Sequence, residues 1–286
     1  MKQHPELTVA YWTIAGAFPG DEPEYSSFDF KDRVEAAARA GFSGMGIWHA
    51  DLEHILQRRT LSEMKQILDD NGMRHTEVEF LTDWFLDGDR KKQSDVRKKK
   101  LLEAAEVLHA KQVKVGDFYR REYSMPQLID SFAALCAEAE EHGTRIAFEP
   151  MAVSMVNTLN DVLTMLEGAA AKNGGIILDI WHVLNLGISY EEVARIPLQY
   201  VFGAEVNDGA FQAPDGTREP LVNRRFCGEG KFDIKGFIQS VERTGYTGPW
   251  GVEVFSTDLL NQPLEELATR AFDSARSSLS RALDSH

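Results

Sequence analysis

The sequence predicts a single-domain α/β protein, a (β/α)8 TIM barrel, on three observations. Eight short β-like runs alternate with amphipathic helical patterns. The ends of the runs recur at about 30-residue intervals, the size of one βα unit. No Pro- or Ser-rich linker divides the 286 residues, so one domain spans 1–286. A doubly wound sheet is the alternative, but it needs a glycine-rich nucleotide loop after the first strand. The segment "IAGAFPG" at 14–20 does not supply one.

The elements come in this order. "LTVAYW" (7–12) is the first strand, and "FKDRVEAAARAG" is a helix stopping at Gly41. "GMGIW" (44–48) is followed by "LSEMKQILDDNG", which stops at Gly72, and "HTEVEF" (75–80) by "KKKLLEAAEVLHA". "VKVG" (113–116) leads to "MPQLIDSFAALCAEAEEHG", which ends at Gly143. "RIAFE" (145–149) precedes "TLNDVLTMLEGA"; "IILD" (176–179), "VFGAEV" (201–206) and "WGVEV" (250–254) complete the set. Glycine accepts the left-handed conformation that closes many helices, hence the three glycine stops. "KKQSDVRKKK" (91–100) reads as a solvated start to the helix that follows it. The irregular stretch from Asn207 to Phe232, with several glycines and two prolines, is a lid candidate over the barrel mouth.

Composition narrows the function. The chain is 43% hydrophobic and 27% charged, ordinary for a globular protein. A net charge of −14 opposes nucleic-acid binding, which needs a basic face. No apolar run approaches the roughly 20 residues that span a bilayer. "TVAYWTIAGAFPG" could pass for the core of a signal peptide, but its Thr, Tyr and Trp and the following "DEPE" fit a strand and loop better. Two cysteines, Cys136 and Cys227, are too few for a disulfide framework. The expected location is cytoplasmic. Nothing near Cys227 would lower its pKa, so it is read as a passive small residue.

Four successive strands end on acids: Glu149, Asp179, Glu205 and Glu253. In a barrel all four project at the C-terminal mouth, where such folds place their chemistry. The residues two positions earlier are Ala147, Ile177, Gly203 and Gly251, small or apolar as an interior requires. Four converging carboxylates repel one another unless a cation joins them. A divalent metal resolves the conflict, and all-oxygen ligation favours Mn²⁺ or Mg²⁺, with Zn²⁺ or Co²⁺ as alternatives. His182, three residues past Asp179, would lie just above the metal as a substrate contact or an outer ligand, and Asp208 would orient neighbouring groups. Glu79, His49, Trp12 and Lys114 also sit at or near strand ends and rank below the acids. Trp12 and Trp84 would line a sugar pocket, with His49 as a further substrate contact.

These residues carry a resemblance. "FEP" at Glu149, "LDIWH" at 178–182, "EVNDG" at Glu205, "RRFCGEGKFD" at 224–233 and "GPWGVEV" near Glu253 are similar to the sugar phosphate isomerase/epimerase group, the xylose isomerase-like TIM barrels. The resemblance covers almost the whole chain. It implies Glu149, Asp179, Glu205 and Glu253 as metal ligands, and His182 with Arg224 or Arg225 as substrate contacts. Two departures stand out. The family's usual histidine on the seventh strand is Glu205 here, and the second glutamate of ketose 3-epimerases is replaced by Met151 and Met155 in "EPMAVSMV".

The function implied is a metal-dependent sugar or polyol isomerase/epimerase working through an enediolate, with Glu149 and Glu253 as base and acid. A dehydratase of the inosose or 3-dehydroshikimate type shares that intermediate and is the alternative. A non-catalytic sugar-binding barrel is a third reading. An apurinic-site endonuclease of the same superfamily would need a histidine-rich zinc cluster and a basic face, against only eight histidines here. The expected partners are a small sugar or polyol and a further copy of the chain in a homo-oligomer, with no nucleic acid and no membrane.

Overall fold

The computed structural model describes residues 5–118, 122–210 and 223–284. In chain order the elements are β1 (Leu7–Val9), α1 (Phe30–Ala40), β2 (Gly44–Trp48), α2 (His49–Ile55), α3 (Leu61–Asp70), β3 (His75–Leu81), α4 (Gly88–Leu108), β4 (Gln112–Val115) and α5 (Met125–Glu141). Then come β5 (Arg145–Phe148), α6 (Leu159–Ala169), β6 (Gly174–Asp179), α7 (Ile180–Asn185), α8 (Tyr190–Val193), β7 (Val201–Val206), α9 (Ile234–Arg243), β8 (Trp250–Val252) and α10 (Leu264–Leu283).

All eight strands pair in parallel, each with its sequence neighbour, and β1 closes on β8. The fold is therefore the (β/α)8 barrel. Closure leaves no strand edge open. Helix starts are set by side chains that accept orphan backbone N–H groups. Asp29 caps α1, Thr158 caps α6, and Thr60 forms a capping box with Glu63 at α3. Gly41 closes α1 at φ 111°, a conformation costly for any residue with a Cβ.

The structure departs from the sequence reading in four places. The first strand ends at Val9, and Tyr11–Thr13 forms a 3-10 turn instead of extending it. The basic run at 91–100 lies inside α4, not ahead of it. Its lysines pair along the helix with Asp95, Asp89 and Glu103, and outward with Glu53 and Glu138. Trp84 does not line the mouth. It packs on Phe85, Phe132 and Phe148, in the apolar layer between barrel and helices. Last, the β6–β7 register shifts between Ile176 and Ile177. That shift lets Phe202 turn inward and share a buried cluster with Ala147 and Ile177, closing the barrel below the mouth.

Candidate functional site

The four acids occupy the ends of neighbouring strands. Glu149 follows β5 directly, Asp179 ends β6, Glu205 is the penultimate residue of β7, and Glu253 follows β8. All are at most 4% exposed. One oxygen from each lies within 4.8 Å of the others. Gly251 makes room for this approach: a Cβ there would meet Glu205 Cγ at 2.6 Å. Asp179 does a second job as cap of α7. Its Oδ1 accepts the N–H groups of Trp181 at 2.6 Å and His182 at 3.3 Å. The carboxylate is thus locked in one orientation, and the turn it caps brings His182 to the cluster.

Two buried cations enter the same space. Lys114 projects inward from β4, in register with Ala147. Its Nζ lies 2.7 Å from Glu205 Oε1, 3.2 Å from Glu79 Oε2, 3.9 Å from Glu253 Oε1 and 4.0 Å from Glu149 Oε2. Arg224 reaches in from the loop after β7, where its Nη1 lies 2.6 Å from Asp179 Oδ2 and 2.8 Å from Glu253 Oε2. Its guanidinium also lies over the ring of Phe255, 4.4 Å from the centroid. Asn207 Nδ2 donates to both oxygens of Asp179, at 3.2 and 3.1 Å. Ranking Lys114 and Glu79 below the acids underestimated them: both belong to the heart of the cluster.

His182 lies 3.7 Å from Glu149 Oε1 and 3.2 Å from Arg224 Nη2 through Nε2. Its Nδ1 accepts the Ala152 N–H at 3.3 Å. Nε2 faces the Arg224 guanidinium, which can only donate, so the ring meets a donor at each nitrogen. Burial, reinforced by Arg224, holds the imidazole well below its ordinary pKa. His182 is therefore a neutral imidazole at neutral pH.

The residues present fit a divalent metal. Five carboxylates (Glu79, Glu149, Asp179, Glu205 and Glu253) face two cations in a space closed to solvent. Burial pushes Glu149 up to about 8, opposed by Lys114 and reinforced by Glu253. The same burial raises Glu205. Buried carboxylates that resist ionisation gain most from a further cation. Glu205 Oε2 is also buried with no hydrogen-bond partner among the described residues, an acceptor available for coordination.

Around the cluster, Trp12 packs with Tyr11, Trp48, Phe80, Met151 and Phe255 in a separate aromatic group on the β1–β3 side. His49 opens α2, its ring centroid 4.6 Å from that of Trp48. Its Nδ1 is buried without a partner among the described residues, and burial drops its pKa to about 3. Of the two adjacent arginines, Arg224 places its guanidinium in the cluster, whereas Arg225 bridges Asp208 through the backbone. The groups that Asp208 orients are backbone N–H groups of its own loop: it accepts those of Gly209, Gly228 and Phe232 and knots the two ends of the loop together. Within the lid candidate, residues 211–222 lie outside the described residues.

Known proteins resemble this chain in sequence and in fold. Residues 34–278 match the model of the xylose isomerase-like TIM barrel family. The chain is 27% identical over 243 residues to a 3-dehydroshikimate dehydratase of Pseudomonas putida, covering 83% of this chain and 38% of that protein. It thus spans under two-fifths of that relative's length. It is 21% identical over 251 residues to an inosose isomerase of Halalkalibacterium halodurans, covering 84% and 88% of the two chains. The solved structure of IolI protein with a bound zinc atom superposes with a TM-score of 0.81 at 18% identity, over 96% of this chain and 98% of that one. No helix among the described residues is long and apolar enough to cross a membrane. The chain belongs to the xylose isomerase-like TIM barrel family.

Proposed function

We propose that this protein is a divalent-metal-dependent enzyme that removes the proton next to the carbonyl of a polyhydroxylated ketone. The observation that carries the reading is the convergence of Glu149, Asp179, Glu205 and Glu253 within 4.8 Å in a buried space flanked by His182 and Arg224. These four acids would hold the metal, which when bound supplies Lewis-acid polarisation of the carbonyl. Mn²⁺ or Mg²⁺ suits the all-oxygen set.

The chain's own residues account for the rest. Glu149, beside His182 in the cluster, is the general base, and a cation held next to it would favour the ionised carboxylate that accepts the proton. Its partner across the site is Glu253, which Arg224 fixes from Oε2. His182, with Nε2 turned to the cluster beside Glu149 and Arg224, is a substrate contact. The aromatic group around Trp12 and Trp48 excludes water on one side and suits the C–H face of a ring.

Elimination is the first reading of the reaction. The α-proton passes to Glu149, and its electron pair moves into the enolate. The pair then expels the β-hydroxyl, which leaves as water with a proton from an acid of the site. The match to a 3-dehydroshikimate dehydratase supports this course, as does "EPMAVSMV", which offers only Met151 and Met155 near where ketose 3-epimerases carry a second glutamate. The second reading returns the proton to carbon and gives an isomer or epimer; the match to an inosose isomerase over most of both chains favours it.

The test is to incubate Mn²⁺-loaded protein in heavy water with 3-dehydroshikimate, inososes and ketoses, following α-hydrogen exchange and product by NMR. Metal-dependent exchange is expected, lost by about 10²–10⁴-fold in Glu149→Gln, the usual worth of a general base. Elimination from 3-dehydroshikimate would appear as 3,4-dihydroxybenzoate. Absence of exchange with every such substrate, in protein shown to hold metal, would overturn the proposal.

A further inference from the structure

Glu205 divides its two oxygens between different surroundings. Oε1 lies 2.7 Å from Lys114 Nζ, while Oε2 is buried with no hydrogen-bond partner among the described residues. The Lys114 side chain is 1% exposed, and its ammonium lies within 4.0 Å of Glu79, Glu149, Glu205 and Glu253. Its shortest contact is to Glu205.

We propose that Lys114 and Glu205 act as one ligand unit: the ammonium pins Glu205 through Oε1 and cancels its charge, leaving Oε2 as the atom that meets the metal. Lys114 is thereby a positioning residue that sets metal affinity without touching the metal. The inference rests on the reading that the four acids bind a divalent cation.

The unit has a consequence that simple packing lacks. Neutralising Glu205 alone strands a positive charge beside the metal, and like charges this close repel strongly in a buried site. Removing both charges together restores the balance. A role confined to filling space predicts the reverse, since a second buried substitution adds to the damage of the first.

Mn²⁺ binding to metal-free protein, measured by titration calorimetry on wild type, Glu205→Gln and the Lys114→Met/Glu205→Gln double variant, separates the two. We expect Glu205→Gln to weaken Mn²⁺ binding at least tenfold, and the double variant to return to within about threefold of wild type, since the two like-sized charge effects oppose. The decisive comparison does not need Lys114→Met alone, which would bury uncompensated carboxylates and unfold. A double variant as weak as Glu205→Gln, or weaker, overturns the inference while leaving the metal site standing. Wild type that binds no Mn²⁺ overturns the functional reading and the inference with it.

Discussion

Replacing Arg224 with methionine removes one of two cations from a buried cluster of five carboxylates while keeping comparable bulk. Asp179 Oδ2 and Glu253 Oε2 then lose contacts of 2.6 and 2.8 Å while both carboxylates stay buried. Removing one partner of a buried ion pair costs about 3–5 kcal/mol. For a domain of this size 1 kcal/mol shifts the melting temperature by about 2–4 °C, so the loss is roughly 6–20 °C. The assay is thermal unfolding with EDTA and again with excess Mn²⁺. Because a divalent cation supplies the missing charge, Mn²⁺ should raise the melting point of the variant more than that of wild type. Arg224→Lys keeps the charge without the guanidinium fork and should fall between the two. An EDTA melting point within about 2 °C of wild type, against an expected loss of at least about 6 °C, would refute the reasoning.

The same structure sets three further expectations. The raised pKa of Glu149 means that the folded, metal-free protein holds this proton more tightly than the unfolded chain. Its contribution to stability is full below the ordinary value of 4.5 and is lost as pH rises towards about 8, so metal-free denaturation curves should weaken across that window and flatten in Glu149→Gln. Burial pushes the Cys136 thiol up to about 12 and raises Cys227 as well; neither should react with a thiol reagent until denaturant is added, when both should. Trp84→Ala should cost about 3–5 kcal/mol of stability in urea titrations yet leave Mn²⁺ affinity unchanged, since that ring lies behind the barrel and not at its mouth.

Much of the architecture was legible because barrel strands are buried on both faces and read as short apolar runs. "GMGIW" and "VFGAEV" became β2 and β7 with the same limits. The strand-end acids were visible for the same reason, since a carboxylate closing an apolar run stands out. Lys114 was harder. A charge inside "VKV" looks the same whether it faces the barrel axis or a helix, and only its register with Ala147 assigns it inward. Strand alternation as applied to the acids misses both, because the residues two positions before Glu79 and Lys114 are Glu77 and Gln112, polar where small or apolar side chains were expected.

Loop residues carry no such period. Nothing in "NRRF" separates Arg224 from Arg225, and their fates diverge only because the bridge to Asp208 fixes the backbone there. The start of α4 was hidden differently. Its first turns have few apolar positions, and ion pairs with neighbouring elements do the holding, a tertiary effect that local pattern cannot display. Phe202 turned inward through a register shift, which breaks the two-residue period on which the interior reading relied.

The most direct test of the account is elemental analysis of protein purified without chelator and dialysed against Mn²⁺, comparing wild type with Glu253→Gln. The account predicts one divalent ion per wild-type chain, a higher melting temperature with metal than with EDTA, and a marked loss of metal in the variant. Wild-type protein that retains no metal and melts alike in both conditions would contradict it.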